Sequence, residues 1–166
     1  MSSTCYFYSE KDKKFGCFSN FFECTFTVNA TILNKPDLTL NAVHSEQAIM
    51  WFKAILMGDS AIAMRIAQEG SARECKKLGR LVSNFCQKTW DENIESIADY
   101  ILFQKFSSNP SLGQILKSTG TKTIAEAAPR DRIWGIGLGA DSARGGVPWR
   151  GKNILGNSLM RVRSML

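Results

Sequence analysis

The chain has 166 residues, 44% of them hydrophobic and 22% charged, an ordinary balance for a globular domain with a real core, and no apolar run is long enough to span a bilayer. The five cysteines form no close pair and are odd in number, which argues against a disulfide framework, and a single histidine without C-x-x-C leaves no zinc motif. The start, Met1-Ser2-Ser3-Thr4-Cys5-Tyr6, has no basic region followed by an apolar stretch, so the expected location is cytoplasmic, with nuclear as the alternative.

In chain order, residues 5–8 and 22–33 are rich in β-branched and aromatic side chains, with breaks at Asn29-Ala30 and Asn34-Lys35-Pro36, and predict short strands or a hairpin. From Ser45 the pattern turns helical, and a first helix runs to Leu56 and stops near Gly58. Asp59 caps a second helix from Ser60 to Glu69, and Ser71-Ala72-Arg73-Glu74 matches a capping box for a third. Another helix is expected over 92–106, and Asn109-Pro110 starts the next with a cap and an N1 proline. A strand over 123–127, a glycine-rich loop over 135–151 and a C-terminal helix from Asn153 complete the chain. With no linker, repeat or low-complexity segment, the expectation is one α+β domain, helix-dominated, with a small sheet.

The segment His44–Ala54 carries the strongest chemical signal. Glu46 and Lys53 stand seven residues apart, nearly two turns, so both lie on one helix face with Cα atoms about 10 Å apart. That is too far for an intrahelical ion pair and about wide enough for a sugar ring. Ile49, Met50, Trp51 and Phe52 surround the interval. A lysine in such company either snorkels to water or is held partly desolvated, with a lowered pKa that makes it a nucleophile.

Other signals are weaker. Trp134-Gly135-Ile136-Gly137-Leu138-Gly139 lacks the following helix of a dinucleotide fingerprint, because Gly145-Gly146-Val147-Pro148 intervenes. It is a surface loop with turn glycines or a backbone that approaches phosphate. Phe18-Ser19-Asn20-Phe21 is a turn between packed rings or a polar pocket wall, and Trp90, Trp134 and Trp149 suit a core or a stacking surface. The net charge of +6, concentrated after residue 129, fits either a solvated surface or anionic partners such as phosphates and nucleic acid.

Taken in order, these pieces resemble the NADAR domain family, which includes the YbiA-like N-glycosidases. The matching motifs are F-Y-S (Phe7–Ser9), F-S-N-F (Phe18–Phe21), S-E followed by Lys53, Lys88 with Trp90, and Lys105-Phe106. Further on come D-x-x-W-G with G-x-G (Asp131, Trp134, Gly135, Gly137) and G-K-N-x-L-G-x-x-L-M-x-V-R (Gly151–Arg163).

The resemblance implies a YbiA-like fold and hydrolysis of a bond between ribose and an exocyclic amine, without metal or cofactor. The implied substrate is ADP-ribose on guanine, in DNA or a nucleotide, or else a ribosylamine intermediate of riboflavin synthesis. Lys53 matches the lysine thought to form a Schiff base with the opened sugar, and Glu46 is then an acid or proton relay. Asp131 is a second acid or a ribose ligand. Ser19, Asn20 and Asn153 are expected on hydroxyls or phosphate, Trp90 and Trp134 at the pocket wall, and Lys152 or Arg163 against phosphate charge. Phe18 and Gly135 enter the substrate-binding set with their motifs.

The chain departs from many bacterial members, which carry glutamine where Met50 stands and histidine or aromatics where Gln47, Ala48 and Ile49 stand. That departure and the basic charge tilt the expectation toward ADP-ribosylated guanine. A non-catalytic ADP-ribose reader is the alternative from another class.

Overall fold

The computed structural model describes residues 3–166. The strands are β1 (Thr4–Phe7), β2 (Phe26–Ala30), β3 (Lys35–Ala42) and β4 (Thr123–Glu126). The helices are α1 (Ser45–Leu56), α2 (Ser60–Ala67), α3 (Ala72–Gly79), α4 (Gln87–Ser108), α5 (Pro110–Lys117), α6 (Ala140–Arg144) and α7 (Ile154–Met165). They form two compact units, Glu23–Asn109 and the segment up to Phe22 with Pro110–Leu166. The architecture is α+β and helix-rich, as expected, but the strands make two separate two-stranded sheets. Among the described residues no helix is long and apolar enough to cross a membrane.

In the unit Glu23–Asn109, β2 and β3 pair antiparallel, with Phe26 opposite Ala42 and Val28 opposite Leu40. Phe26, Val28, Ala30, Leu40 and Ala42 are buried, the alternation expected of a ribbon with one covered face. The chain reverses through the short 3-10 turn Thr31–Leu33, and Asn34 takes a left-handed conformation at φ 59°. The sequence pattern reads Asn34-Lys35-Pro36 as a break, yet β3 begins at Lys35. A two-stranded ribbon is all edge, and a proline there need not remove a ladder bond.

Helix α1 is the centre of this unit: every residue from Ser45 to Phe52 is buried. His44 caps it. Its Nδ1 accepts the Gln47 N–H at 3.0 Å, so the ring proton sits on Nε2 and is donated to the Gly70 carbonyl at 3.0 Å. Burial, the main cause, lowers the His44 pKa and favours this neutral form. Gln47 is fully used: its Nε2 donates to the carbonyls of Ile66 and Glu69, and its Oε1 accepts from Val43 N–H. Asp59 and Ser71 cap α2 and α3 as their sequence positions predict, accepting from Ile62 N–H and Glu74 N–H. Helix α4 starts a turn earlier than predicted, at Gln87, with buried Trp90 in the added turn.

In the other unit, β1 and β4 pair in parallel, Thr4 with Thr123 through Phe7 with Glu126. Phe18 lies edge-on to Phe7 (centroids 5.6 Å) and stacks on Phe15 (5.1 Å). Beside β4, Ala125, Ala127, Ile136, Leu138 and Ala143 form a small core. The expected loop over 135–151 contains α6, which periodicity misses because five residues are too few to show a period.

Candidate active site

Helix α1 places its two chemical groups at opposite ends of one face. Glu46 is in the first turn and 8% exposed, and Lys53 is in the last turn and half-buried. Both positions suit the helix dipole, acid at the N-terminus and base at the C-terminus. Burial lowers the pKa of Lys53; the Glu46 carboxylate partly opposes this, and the Arg80 guanidinium adds to it. Lys53 Nζ also sits 4.7 Å from the centre of the Phe85 ring. Lys53 thus combines the two alternatives left open by the sequence, a stem among apolar residues and an amine whose pKa is lowered by burial.

Between these groups stands Met50, buried against Gly79 of α3. A Cβ built at Gly79 would lie 2.0 Å from the Met50 sulfur, so the absence of a side chain there makes room for the thioether. Gly79→Ala is expected to destabilise the protein by about 1–3 kcal/mol in urea unfolding. A double-mutant cycle with Met50→Ala should show a coupling of about 0.5 kcal/mol or more. Additivity of the two changes would contradict this account of Gly79.

Trp90 is buried in α4. The same helix holds Lys105, which is 0% exposed and donates from Nζ to Ser45 Oγ at 3.2 Å, next to Glu46. Its burial was legible: Lys105 follows Ile101 and Leu102 by four and three residues, on the buried stripe that also holds Ile94, Ile97 and Ala98. Phe85 and Arg80 left no such trace. They lie in an irregular segment without periodicity, and only the folded chain brings them to Lys53.

The remaining sequence-predicted residues belong to the other unit. Phe18 is fully buried among rings. Ser19 Oγ accepts from Phe21 N–H at 3.1 Å, closing a tight turn. Asn20 is 8% exposed and its Oδ1 is buried without a hydrogen-bond partner, an arrangement that costs about 1–3 kcal/mol unless a donor arrives. Asp131 Oδ1 accepts from Ile133 and Trp134 N–H (2.9 and 2.8 Å), which shapes the turn that sets out the partly exposed Trp134.

Asn153 is engaged structurally. At φ 53° it sits just before α7; its Oδ1 accepts from Glu126 N–H and its Nδ2 donates to the Ile124 carbonyl, so its amide continues the hydrogen bonding of β4. Gly135 is buried and its carbonyl accepts from Asn153 N–H. A Cβ on Gly151 would fall 2.2 Å from that same carbonyl oxygen. The glycine-rich stretch therefore packs backbone against backbone here. Arg163 Nη1 donates to Thr119 Oγ1 and the Lys122 carbonyl, both at 2.8 Å, and Lys152 is exposed. Asn153→Ala strands the part-buried Glu126 N–H and the buried Ile124 carbonyl and should cost about 2–4 kcal/mol by chemical denaturation. A loss below about 0.5 kcal/mol would show the amide to be dispensable to the fold.

Helix α1 thus displays a buried acid and a half-buried amine, its pKa lowered by burial, on one face within a helix-rich α+β framework. Comparison with known proteins gives the family. The NADAR domain model matches residues 6–166. A protein of Acanthamoeba polyphaga mimivirus named as an N-glycosidase is 44% identical over 124 residues, 73% of this chain and 72% of its own length. A second protein named as an N-glycosidase, from Nostoc punctiforme, is 29% identical over 96% of this chain and 90% of its own. The NMR structure of the E. coli protein YbiA superposes with a TM-score of 0.76 at 25% identity, covering 99% of this chain and 85% of that one. The chain belongs to the NADAR domain family.

Proposed function

We propose that this chain hydrolyses an N-glycosidic bond between ribose and an exocyclic amine, releasing ADP-ribose from modified guanine in DNA or a nucleotide. The observation that carries the reading is Lys53, a half-buried amine with its pKa lowered, on the same helix face as the buried acid Glu46. Membership of a family with named N-glycosidases supports the bond type. The net charge of +6 supports a polyanionic substrate.

The proposed reaction runs through an opened sugar and a Lys53 Schiff base. Ring opening moves the C1–O electron pair to the ring oxygen, which takes a proton, while the exocyclic nitrogen forms an imine with C1. Neutral Lys53 adds to C1, and a proton delivered to the guanine nitrogen, with Glu46 as donor or relay, lets that amine leave. The resulting Lys53–C1 Schiff base takes up water, and the lysine departs as the aldehyde of ADP-ribose recloses.

The test is release of free ADP-ribose from an oligonucleotide ADP-ribosylated on guanine, with a ribosylaminopyrimidine assayed in parallel. Turnover of the oligonucleotide is the expected result. Turnover of the pyrimidine alone would move the substrate to the riboflavin pathway, and binding of ADP-ribose with no turnover of either would make the chain a reader.

A further inference from the structure

Phe85 is a large apolar residue left 42% exposed between exposed Ser83, Asn84 and Gln87. Its segment is tied down. Ser83 donates from both N–H and Oγ to Asp59 Oδ2 at 2.8 Å, and Cys86 N–H points to Met57 Sδ at 3.4 Å. Asn84, at φ 56°, turns the chain between these ties. Met57 N–H in turn donates to the Lys53 carbonyl, so the turn that ends α1 also anchors the loop carrying Phe85. The ring is thereby set 4.7 Å from Lys53 Nζ with much of its surface open.

We infer that Phe85 is the stacking platform for the flat, amine-bearing base that leaves when the N-glycosidic bond is broken. The inference rests on the proposed attack of Lys53 on C1. An attacked carbon lies about 1.5 Å from Nζ, and the base is joined to that carbon through a single nitrogen. Its ring centre therefore falls within about 5 Å of Nζ, the same atom that the Phe85 ring faces at 4.7 Å, and this leaves the base within reach of the 4.5–7 Å separation at which aromatic rings pair. Arg80, close enough to act on the Lys53 charge, adds a guanidinium that suits the carbonyl and ring-nitrogen acceptors of a purine edge. The neighbouring amine, the open ring and the guanidinium together fit a heteroaromatic leaving group better than a second sugar or an alkyl chain.

The experiment compares wild type, Phe85→Ala and Phe85→Tyr in hydrolysis of the modified oligonucleotide, with guanosine monophosphate and free ADP-ribose titrated by calorimetry. Phe85→Ala should raise KM and weaken guanosine monophosphate binding about 10- to 100-fold, leave ADP-ribose affinity within about twofold, and be rescued by tyrosine. An unchanged KM, equal weakening of both ligands, or a change confined to the pH profile through loss of cover on Lys53 would each overturn the inference. Absence of turnover by wild type would instead sink the proposed hydrolysis. The guanosine monophosphate titration then still decides Phe85: loss in the alanine variant upholds a base platform, while equal binding, or none in either, removes it.

Discussion

Lys53→Ala is expected to abolish hydrolysis, lowering kcat by at least about a thousandfold while the protein stays folded. The side chain is half-buried at the end of α1, so its loss costs the fold little while removing the group placed to attack C1. The Schiff-base step makes a sharper prediction. Borohydride added during turnover should reduce the Lys53–C1 imine to a stable secondary amine, and mass spectrometry should find ADP-ribose on the peptide that contains residue 53. Wild type should be trapped and Lys53→Ala should not. Turnover without trapping would replace covalent catalysis with direct attack by water, and full activity in the alanine variant would remove Lys53 from the mechanism.

Glu46→Gln carries the second large effect, a loss of about 10²- to 10⁴-fold in kcat, the range for a positioned acid–base group. It also has a signature in pH. Lys53 must be neutral to react, so the rate should rise with pH and level off above the lysine pKa, which burial has moved below 10.5. The Glu46 carboxylate raises that pKa by favouring the ammonium form. Removing its charge lets burial act with less opposition, so the rising limb of the residual activity should move to lower pH. The same variant thus lowers the plateau and shifts the limb toward acid. A limb that stays in place would mean that the two groups do not sense one another, and a limb that moves toward higher pH would assign it to a different group.

The α1 site shows how far local pattern reaches. The seven-residue spacing of Glu46 and Lys53 was readable because a helix turns every 3.6 residues, whereas the apolar neighbours left both snorkelling and partial desolvation of the lysine open. The Asp59 and Ser71 caps were readable because a side-chain oxygen satisfies N–H groups two or three residues away. Asn153 stood in the C-terminal motif as a candidate ligand, but nothing local shows that its amide continues the bonding of β4, whose partners Ile124 and Glu126 lie nearly thirty residues earlier. Arg163 is similar: its hydrogen bonds reach back more than forty residues to Thr119 and Lys122.

Helices, caps, the acid–amine pair and the family motifs were therefore present in the order of residues, since each depends on groups within a few positions of one another. The parallel pairing of β1 with β4, the seat of Met50 on Gly79, and the arrival of Phe85 and Arg80 at Lys53 came only with folding. Those contacts join segments separated by about twenty-five to a hundred and twenty residues. No periodicity or turn rule spans such distances. They are chosen by which buried surfaces fit together and which polar atoms must find partners once water is gone.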